Sequence, residues 1–320
     1  MPRSGAGAGA SPAPVHRQRD GRARRPSARP LGGRITARLI VNADDFGLTT
    51  RVNEGVLEAH GRGILTSASI MPVGRAFDQA ARLAREVPGL DIGIHLTLVE
   101  ERPLLPAQEI PSLVGPEGRF LPHADRFVLR HLAGRIALAE VRRELAEQCR
   151  RVLDAGLSPS HVDSHQHLHL LPRVLEVVLE LCREFKIPTI RLVHEPRVVR
   201  QVGRTPPARI GQALILNALS RRARLRQRSG VDGFLGFLCA GRLDEREMLR
   251  LLEHLPNHGT WELGCHPGLP DGETPYPHWG YHWENELAAL TSPRVRALVE
   301  RRGIRLVGFR HLVDPPQAAH

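Results

Sequence analysis

The stretch RLIVNADDFG (38–47) combines a buried strand with a cluster of polar side chains. Its apolar run 39–41 has the composition of a strand buried on both faces, as in parallel sheets. Asn42, Asp44 and Asp45 follow this run directly. Adjacent aspartates after a strand are common in turns and helix caps. Two carboxylates this close also repel each other, which is easier to accommodate beside a cation.

The rest of the chain repeats the alternation of strand and helix. Apolar runs that predict strands lie at 38–44, 66–71, 91–97, 160–165, 189–193, 260–266 and 304–309. Patterns that predict helices lie at 51–61, 75–86, 138–155, 172–185, 244–255, 283–290 and 293–302. Such alternation indicates parallel strands joined by right-handed crossovers. We therefore expect an α/β fold, a single distorted or incomplete TIM-like barrel of about seven parallel strands, with 99–136 and 197–237 as excursions from it.

Ionisable side chains occur near the ends of several other predicted strands. His95 lies near the end of one strand, Arg191 within an apolar one, and His266 at the end of the strand before Pro267-Gly268. The carboxyl ends of parallel strands meet at one rim of a barrel, where active sites are built. A single histidine is often structural, whereas a buried arginine requires a carboxylate partner. Together these positions predict one polar site.

The segment HVDSHQHLH (161–169) is the strongest single motif. In an extended chain, alternate residues share a face, so the strand pattern places His161, Asp163, His165, His167 and His169 on one side. That many imidazoles on one face predict metal binding by one or two of them. The others are then available to bind substrate or orient the ligands. Spacing alone leaves His165, His167 and His169 as alternative ligands.

One aspartate, His95 and one histidine of this motif would supply one oxygen and two nitrogens to a divalent ion, Zn²⁺ or Mg²⁺. Such a set leaves coordination positions for water and substrate, as hydrolysis requires. The other aspartate is then a candidate general base, and His266 a candidate proton donor.

Composition supports one folded domain with a basic tail. Residues 1–36 are rich in Gly, Ala, Pro and Arg, which predicts a disordered tail before a folded domain at 37–313 and a short tail at 314–320. Most of the net charge of +11 lies in this first segment. No apolar run is long enough for a membrane span, and the N-terminal segment lacks the apolar stretch of a secretory signal. The four cysteines form no CxxC pair. We therefore expect a cytoplasmic protein.

Several motifs in this order resemble the YdjC-like carbohydrate deacetylases, which include chitooligosaccharide deacetylase. The matching segments are LIVNADDFGLTTRVNEGV (39–56), GILTSASIM (63–71), IGIHLTL (92–98), HVDSHQHLH (161–169), TIRL (189–192), ELGCHPG (262–268) and the C-terminal stretch 281–310. The resemblance implies a distorted barrel, a divalent metal ion and removal of N-acetyl groups from an amino sugar. It also implies a homodimer.

The resemblance assigns roles by motif. It implies Asp45, His95 and His165 as metal ligands, and Asp44, His266 and Arg191 as catalytic residues. In this scheme Asp44 is the base, His266 is the acid, and Arg191 orients Asp44. Asn42, Asp163, His167 and His169 are left to bind substrate or support the ligands.

Two further features concern the substrate and the alternatives. Segments 95–120 and 231–256 resemble the subgroup associated with hopanoid biosynthesis, which implies an N-acetylglucosaminyl glycolipid as substrate and allows peripheral membrane contact. A different metal-dependent amide or ester hydrolase on the same scaffold is the alternative enzyme. From another class, the Arg-rich tail and the Arg221–Arg228 helix could bind nucleic acid or a membrane surface. The basic stretches lack interleaved aromatic residues, so we expect no nucleic-acid partner.

Overall fold

A curled sheet of parallel strands forms the centre of the protein. The computed structural model describes residues 37–196, 205–226, 230–270 and 276–313. The predicted tails at 1–36 and 314–320 lie outside the described residues. The strands are β1 (Arg38–Phe46), β2 (Ser67–Ile70), β3 (Asp91–Leu96), β4 (His161–Ser164), β5 (Thr189–Ile190), β6 (Gly233–Leu235), β7 (Thr260–Cys265) and β8 (Arg305–Leu306).

The strands follow the order β5-β4-β3-β2-β1-β7-β6, and every pairing is parallel. The short β8 pairs with the beginning of β1 beside this path. No ladder joins β5 to β6 among the described residues. One backbone hydrogen bond, from Phe234 N–H in β6 to the carbonyl of His194 beyond β5 (2.8 Å), links the two ends. The sheet is therefore an incomplete barrel of seven strands with one short branch, and the predicted fold class is confirmed.

Helices cover the outside of the sheet in the described part of the chain. They are α1 (Thr50–Arg62), α2 (Phe77–Glu86), α3 (Ala124–Leu132), α4 (Leu138–Asp154), α5 (Val174–Glu184), α6 (Pro207–Arg224), α7 (Glu245–Glu253), α8 (Trp283–Thr291), α9 (Pro293–Arg301) and α10 (Arg310–Val313). Thr49 caps α1 by accepting a hydrogen bond from the backbone N–H of Val52, as its position before the helix predicts. None of these helices is both long and apolar enough to cross a membrane.

The sequence pattern missed or misplaced several elements. The strand β6 has only three residues and lies within the stretch 197–237 that was predicted to be an excursion. The helix α3 lies within the other predicted excursion, 99–136. The strand β5 ends at Ile190, so Arg191 follows this strand and does not lie within it. The three residues of β6, Gly233–Leu235, are too few for a period of two to be recognised.

Glu195 connects the open side of the barrel to α6. Its backbone N–H and C=O exchange hydrogen bonds with the side-chain amide of Asn217 in α6, at 2.8 and 2.9 Å. Its carboxylate accepts a hydrogen bond from the backbone N–H of Leu238, just after β6 (3.2 Å). Burial raises the pKa of this carboxyl to about 7, although the backbone N–H groups of Leu238 and Gly236 partly oppose that effect.

This raised pKa predicts a stability change with pH. Between about pH 4.5 and 7 the folded protein holds a proton on Glu195 that the unfolded chain has lost, so its contribution to the free energy of unfolding falls as pH rises through this window. In Glu195→Gln this contribution is absent. We expect the stability of the variant relative to the parent to rise by about 3 kcal/mol from pH 4.5 to pH 8, on the scale of ~1.4 kcal/mol per pKa unit. Urea unfolding of both proteins at the two pH values measures this difference, and equal pH profiles would contradict the assignment.

Candidate active site

An irregularity at the end of β1 directs both aspartates into one site. The pairing of β1 with β2 runs Ala43↔Ala68 and then Phe46↔Ile70, so Asp44 and Asp45 oppose a single residue of β2. Such a β-bulge changes the direction of side chains near active sites. Asp45 has the left-handed φ of 63°, which aspartate tolerates better than most residues. Strict alternation would have placed the two carboxylates on opposite faces.

The chain also changes conformation at the end of β4. This strand ends at Ser164, and His165–Leu170 forms a tight 3-10 turn in which Gln166 and His167 have left-handed φ values of 54° and 57°. The prediction that the histidines of 161–169 share one strand face is therefore wrong. Each of them points to different surroundings, and among them only His165 reaches Asp45.

Asp45, His95 and His165 form a compact buried cluster. The Oδ1 atom of Asp45 lies 3.2 Å from Nε2 of His95 and 3.2 Å from Nδ1 of His165. The three candidate ligand atoms lie within 4.8 Å of one another, and all three side chains are buried. The structure thus brings together the three residues that the family resemblance implies as metal ligands.

This cluster fits a divalent cation. Among the described residues, Oδ2 of Asp45 and Nε2 of His95 are buried without a hydrogen-bond partner. Spacings near 3.2 Å between an oxygen and two nitrogens match the edges of a coordination shell with metal–ligand distances of about 2.0–2.2 Å. A set of one carboxylate and two imidazoles suits zinc and related ions.

Charges around the cluster also fit a cation. Burial lowers the pKa of His95, but Asp163 and Asp45 more than offset this and raise it to about 10. Burial likewise opposes a proton on His165, and Asp45 and Glu100 raise its pKa to about 9. The surroundings of both imidazoles therefore favour positive charge at this position.

Arg191 lies beneath the cluster and binds three carboxylates. Its Nη1 and Nη2 atoms donate to the two oxygens of Asp44, both at 2.7 Å. Its Nη1 also lies 2.7 Å from Oδ2 of Asp163, and its Nε 2.6 Å from Oε1 of Glu262. The guanidinium side chain is fully buried. Arg191 therefore holds the carboxylates of Asp44 and Asp163 in place, and its contact with Asp44 is the one that the family resemblance implies.

His266 follows directly after β7, the strand that pairs with β1. Its backbone N–H donates to Oε2 of Glu286 (2.6 Å), and its Nδ1 lies 3.7 Å from the same oxygen. Burial lowers the pKa of His266, but the Glu286 carboxylate outweighs burial and the pKa is raised. Tyr281 packs against the imidazole, with ring centres 4.7 Å apart. His266 lines the same cavity as Asp44 and His95, so it is placed to donate a proton there.

The remaining predicted residues support this arrangement. Asn42 donates to Oδ1 of Asp44 (2.9 Å) from behind, and Asp163 accepts from Nδ1 of His95 (2.8 Å). His169 is structural, because its two ring nitrogens bind Ser164 Oγ and the carbonyl of Arg191 at 2.7 and 3.0 Å. His167 lines the cavity.

His161 lies outside the cluster. It is stacked on Phe309, with ring centres 3.8 Å apart, and burial lowers its pKa to about 4.

Sequence reasoning missed three glutamates. Glu100 contacts the outer nitrogen of His165, Glu262 binds Arg191, and Glu286 supports His266. Glu262 carried a detectable signal, because it is a charged residue in an apolar strand at an even spacing from His266. Glu100 lies in an irregular loop, where no periodicity indicates its direction. Glu286 carried a weak signal, because it shares the buried face of α8 with Ala289 and Leu290, three and four residues further on.

A cavity of about 590 Å³ opens above these residues. Asp44, His95, Glu100, His165 and His266 form its polar floor. Its walls carry Phe234, Phe237, Trp279 and Tyr281 together with Ile215, Leu216 and Leu219 from α6 and Val128 from α3. Its size is in the range of small-molecule sites.

This chain is similar to known proteins in sequence and in fold. A carbohydrate deacetylase of Geobacillus stearothermophilus is 32% identical over 274 residues, which cover 85% of this chain and 96% of the relative. A chitooligosaccharide deacetylase of Salmonella paratyphi B is 32% identical, covering 85% and 97%. The crystal structure of an Enterococcus faecalis protein superposes with a TM-score of 0.67 at 30% identity, covering 87% of this chain and 99% of that one. Residues 38–301 match the family described as YdjC-like protein, and the chain belongs to this family.

Proposed function

We propose that the protein is a metal-dependent carbohydrate deacetylase that hydrolyses the N-acetyl group of an amino sugar. The observation that carries the proposal is the buried cluster of Asp45, His95 and His165, whose two histidines line a cavity together with Asp44 and His266. The names of the deacetylases from Geobacillus and Salmonella support the class of reaction and of substrate.

The residues of the site divide the work of amide hydrolysis. Asp45, His95 and His165 would hold the ion, which when bound polarises the acetyl carbonyl and increases the acidity of water. Asp44 accepts a proton from the attacking water, while Arg191 keeps its carboxylate in place. His266 donates a proton to the nitrogen that leaves as the amine. Acetate and a free amino sugar are the products.

The ligand set supports zinc over magnesium, because two of the three ligand atoms are imidazole nitrogens. The aromatic side chains of Trp279 and Tyr281 offer flat apolar surfaces for the faces of sugar rings. A different amide or ester hydrolase would need the same polar floor. The support for a sugar substrate therefore comes from the aromatic residues of the cavity wall. The homodimer and the cytoplasmic location stay predictions.

A specific observation favours a glycolipid as the substrate. The cavity wall formed by α6 includes Ile215, which is 61% exposed, with Leu216 and Leu219 beside it. On α3, Val128 lines the cavity, and Leu132 of the same helix is 74% exposed. A soluble oligosaccharide gains little from these side chains, whereas an alkyl or polycyclic aglycone would remove their apolar surface from water.

If Asp44 is the base, its substitution should lower turnover and leave the metal content of the protein unchanged. In Asp44→Asn, zinc binding is expected to stay near one equivalent, because the residue is not among the ligands, while acetate release from N-acetylglucosamine oligomers falls by ~10²–10⁴-fold. The matched variant Asp45→Asn should lose zinc. Because Asp44→Asn also weakens the pairing of Arg191, thermal melting is measured in parallel. A folded, zinc-loaded Asp44→Asn enzyme with more than a tenth of the parent rate would rule out this role.

A glycolipid substrate predicts that substitutions in the α6 wall lower kcat/KM only for substrates that carry an apolar chain. We expect Ile215→Asp to lower kcat/KM for an octyl glycoside of N-acetylglucosamine about fivefold, since ~1 kcal/mol of apolar contact is lost. The value for a soluble N-acetylglucosamine trimer should stay within twofold. Leu225→Asp is the control, because Leu225 is 89% exposed and does not line the cavity. Equal losses on both substrates would argue against an apolar aglycone.

A further inference from the structure

Glu100 holds the outer nitrogen of a predicted metal ligand. Its Oε2 atom lies 2.9 Å from Nε2 of His165, and its side chain is only 7% exposed. The other ring nitrogen, Nδ1, lies 3.2 Å from Asp45. The His165 ring is thus fixed between two carboxylates, one on the ion-binding side and one on the cavity side.

We propose that Glu100 is a positioning residue that selects the tautomer and orientation of His165. By accepting a hydrogen bond from Nε2–H, the carboxylate leaves the lone pair of Nδ1 free to face the ion-binding position beside Asp45. The inference rests on the proposed function, because it assumes that His165 binds a metal ion.

The other ligand histidine has the same arrangement. Nε2 of His95 faces Asp45, and Nδ1 of His95 lies 2.8 Å from Oδ1 of Asp163. Both histidines therefore have their inner nitrogen beside Asp45 and their outer nitrogen on a second carboxylate. A carboxylate on the outer nitrogen of a metal-binding histidine fixes the ring and increases its basicity.

The two supporting carboxylates differ in their surroundings. Asp163 is fixed by Arg191 and Ser69, both at 2.7 Å. The Oε1 atom of Glu100 lies 3.8 Å from His123 and 3.8 Å from His278, whose side chains are 59% and 51% exposed. Of the two supporting carboxylates, Glu100 is consequently the one that lines the cavity.

The backbone at Glu100 does not require a glutamate. Its φ is +69°, a left-handed value that glycine adopts with less strain. Its N–H donates to the carbonyl of Leu121 and its carbonyl accepts from Nη2 of Arg119, both at 2.8 Å. These backbone contacts persist without the side chain. A glycine at this position removes the carboxylate, relieves the strain and leaves the loop anchored.

Zinc binding measured with the metal alone tests the proposal. A chromophoric chelator competes with the parent protein, with Glu100→Gly and with Glu100→Gln; the matched control is Glu117→Gln, an exposed glutamate in the same loop. We expect the zinc affinity of Glu100→Gly to fall ~10–100-fold, as for other outer carboxylates, with a melting temperature close to that of the parent. Glu100→Gln should recover part of the affinity because its amide oxygen still accepts from Nε2–H. The control should match the parent.

The ¹⁵N chemical shifts of His165 give a readout that loop stability alone would not change. In the zinc-loaded parent, Nδ1 should show the shift of a metal-bound nitrogen and Nε2 that of a protonated one, whereas Glu100→Gly should show mixed ligation. A folded Glu100→Gly protein with zinc affinity within twofold of the parent overturns the positioning role. Failure of the parent itself to bind zinc would instead overturn the proposed function.

Discussion

The salt bridges of Arg191 are the interaction on which the rest of the site depends. A fully buried guanidinium binds Asp44 from β1, Asp163 from β4 and Glu262 from β7, and so joins three separate strands at one rim of the barrel. Removing one partner of such a buried pair costs about 3–5 kcal/mol, because a charge is left without compensation. The ends of these strands are thereby held in the relative positions that the chemistry requires.

A chain of ionisable side chains runs through Arg191 to the lining of the cavity. Glu262, Arg191, Asp163, His95, Asp45, His165 and Glu100 follow one another, each 2.6–3.2 Å from the next. Burial raises the pKa of Glu262 to about 7 in spite of Arg191, so the deepest carboxyl of the chain is the one most easily neutralised. At the other end of the chain, the carboxylates of Asp45 and Glu100 are balanced by the two imidazoles.

The strand ends could be predicted from sequence because apolar runs followed by polar residues have few other interpretations. Spacing left open which aspartate and which histidine of 161–169 join His95, and only the family resemblance named Asp45 and His165. The reasons for their convergence could not be predicted. The bulge at Asp44 and Asp45 and the turn that begins at His165 are departures from regular periodicity, and a pattern of period two carries no information about them. Glu100 was missed for the same reason, since its direction is set by contacts 19 and 21 residues away in sequence, with Arg119 and Leu121.

The helix α6 both closes the barrel and forms a wall of the cavity. Asn217 and Ser220 bind the segment after β5, while Arg224 donates to the carbonyls of Val231 and Asp232 just before β6. The seam of the sheet is thus held by the same helix that a ligand in the cavity touches. A molecule that packs against this wall needs α6 in place, so we expect its binding to protect the seam from local opening by mass action. Occupancy of the cavity and cohesion of the barrel are in this way thermodynamically linked.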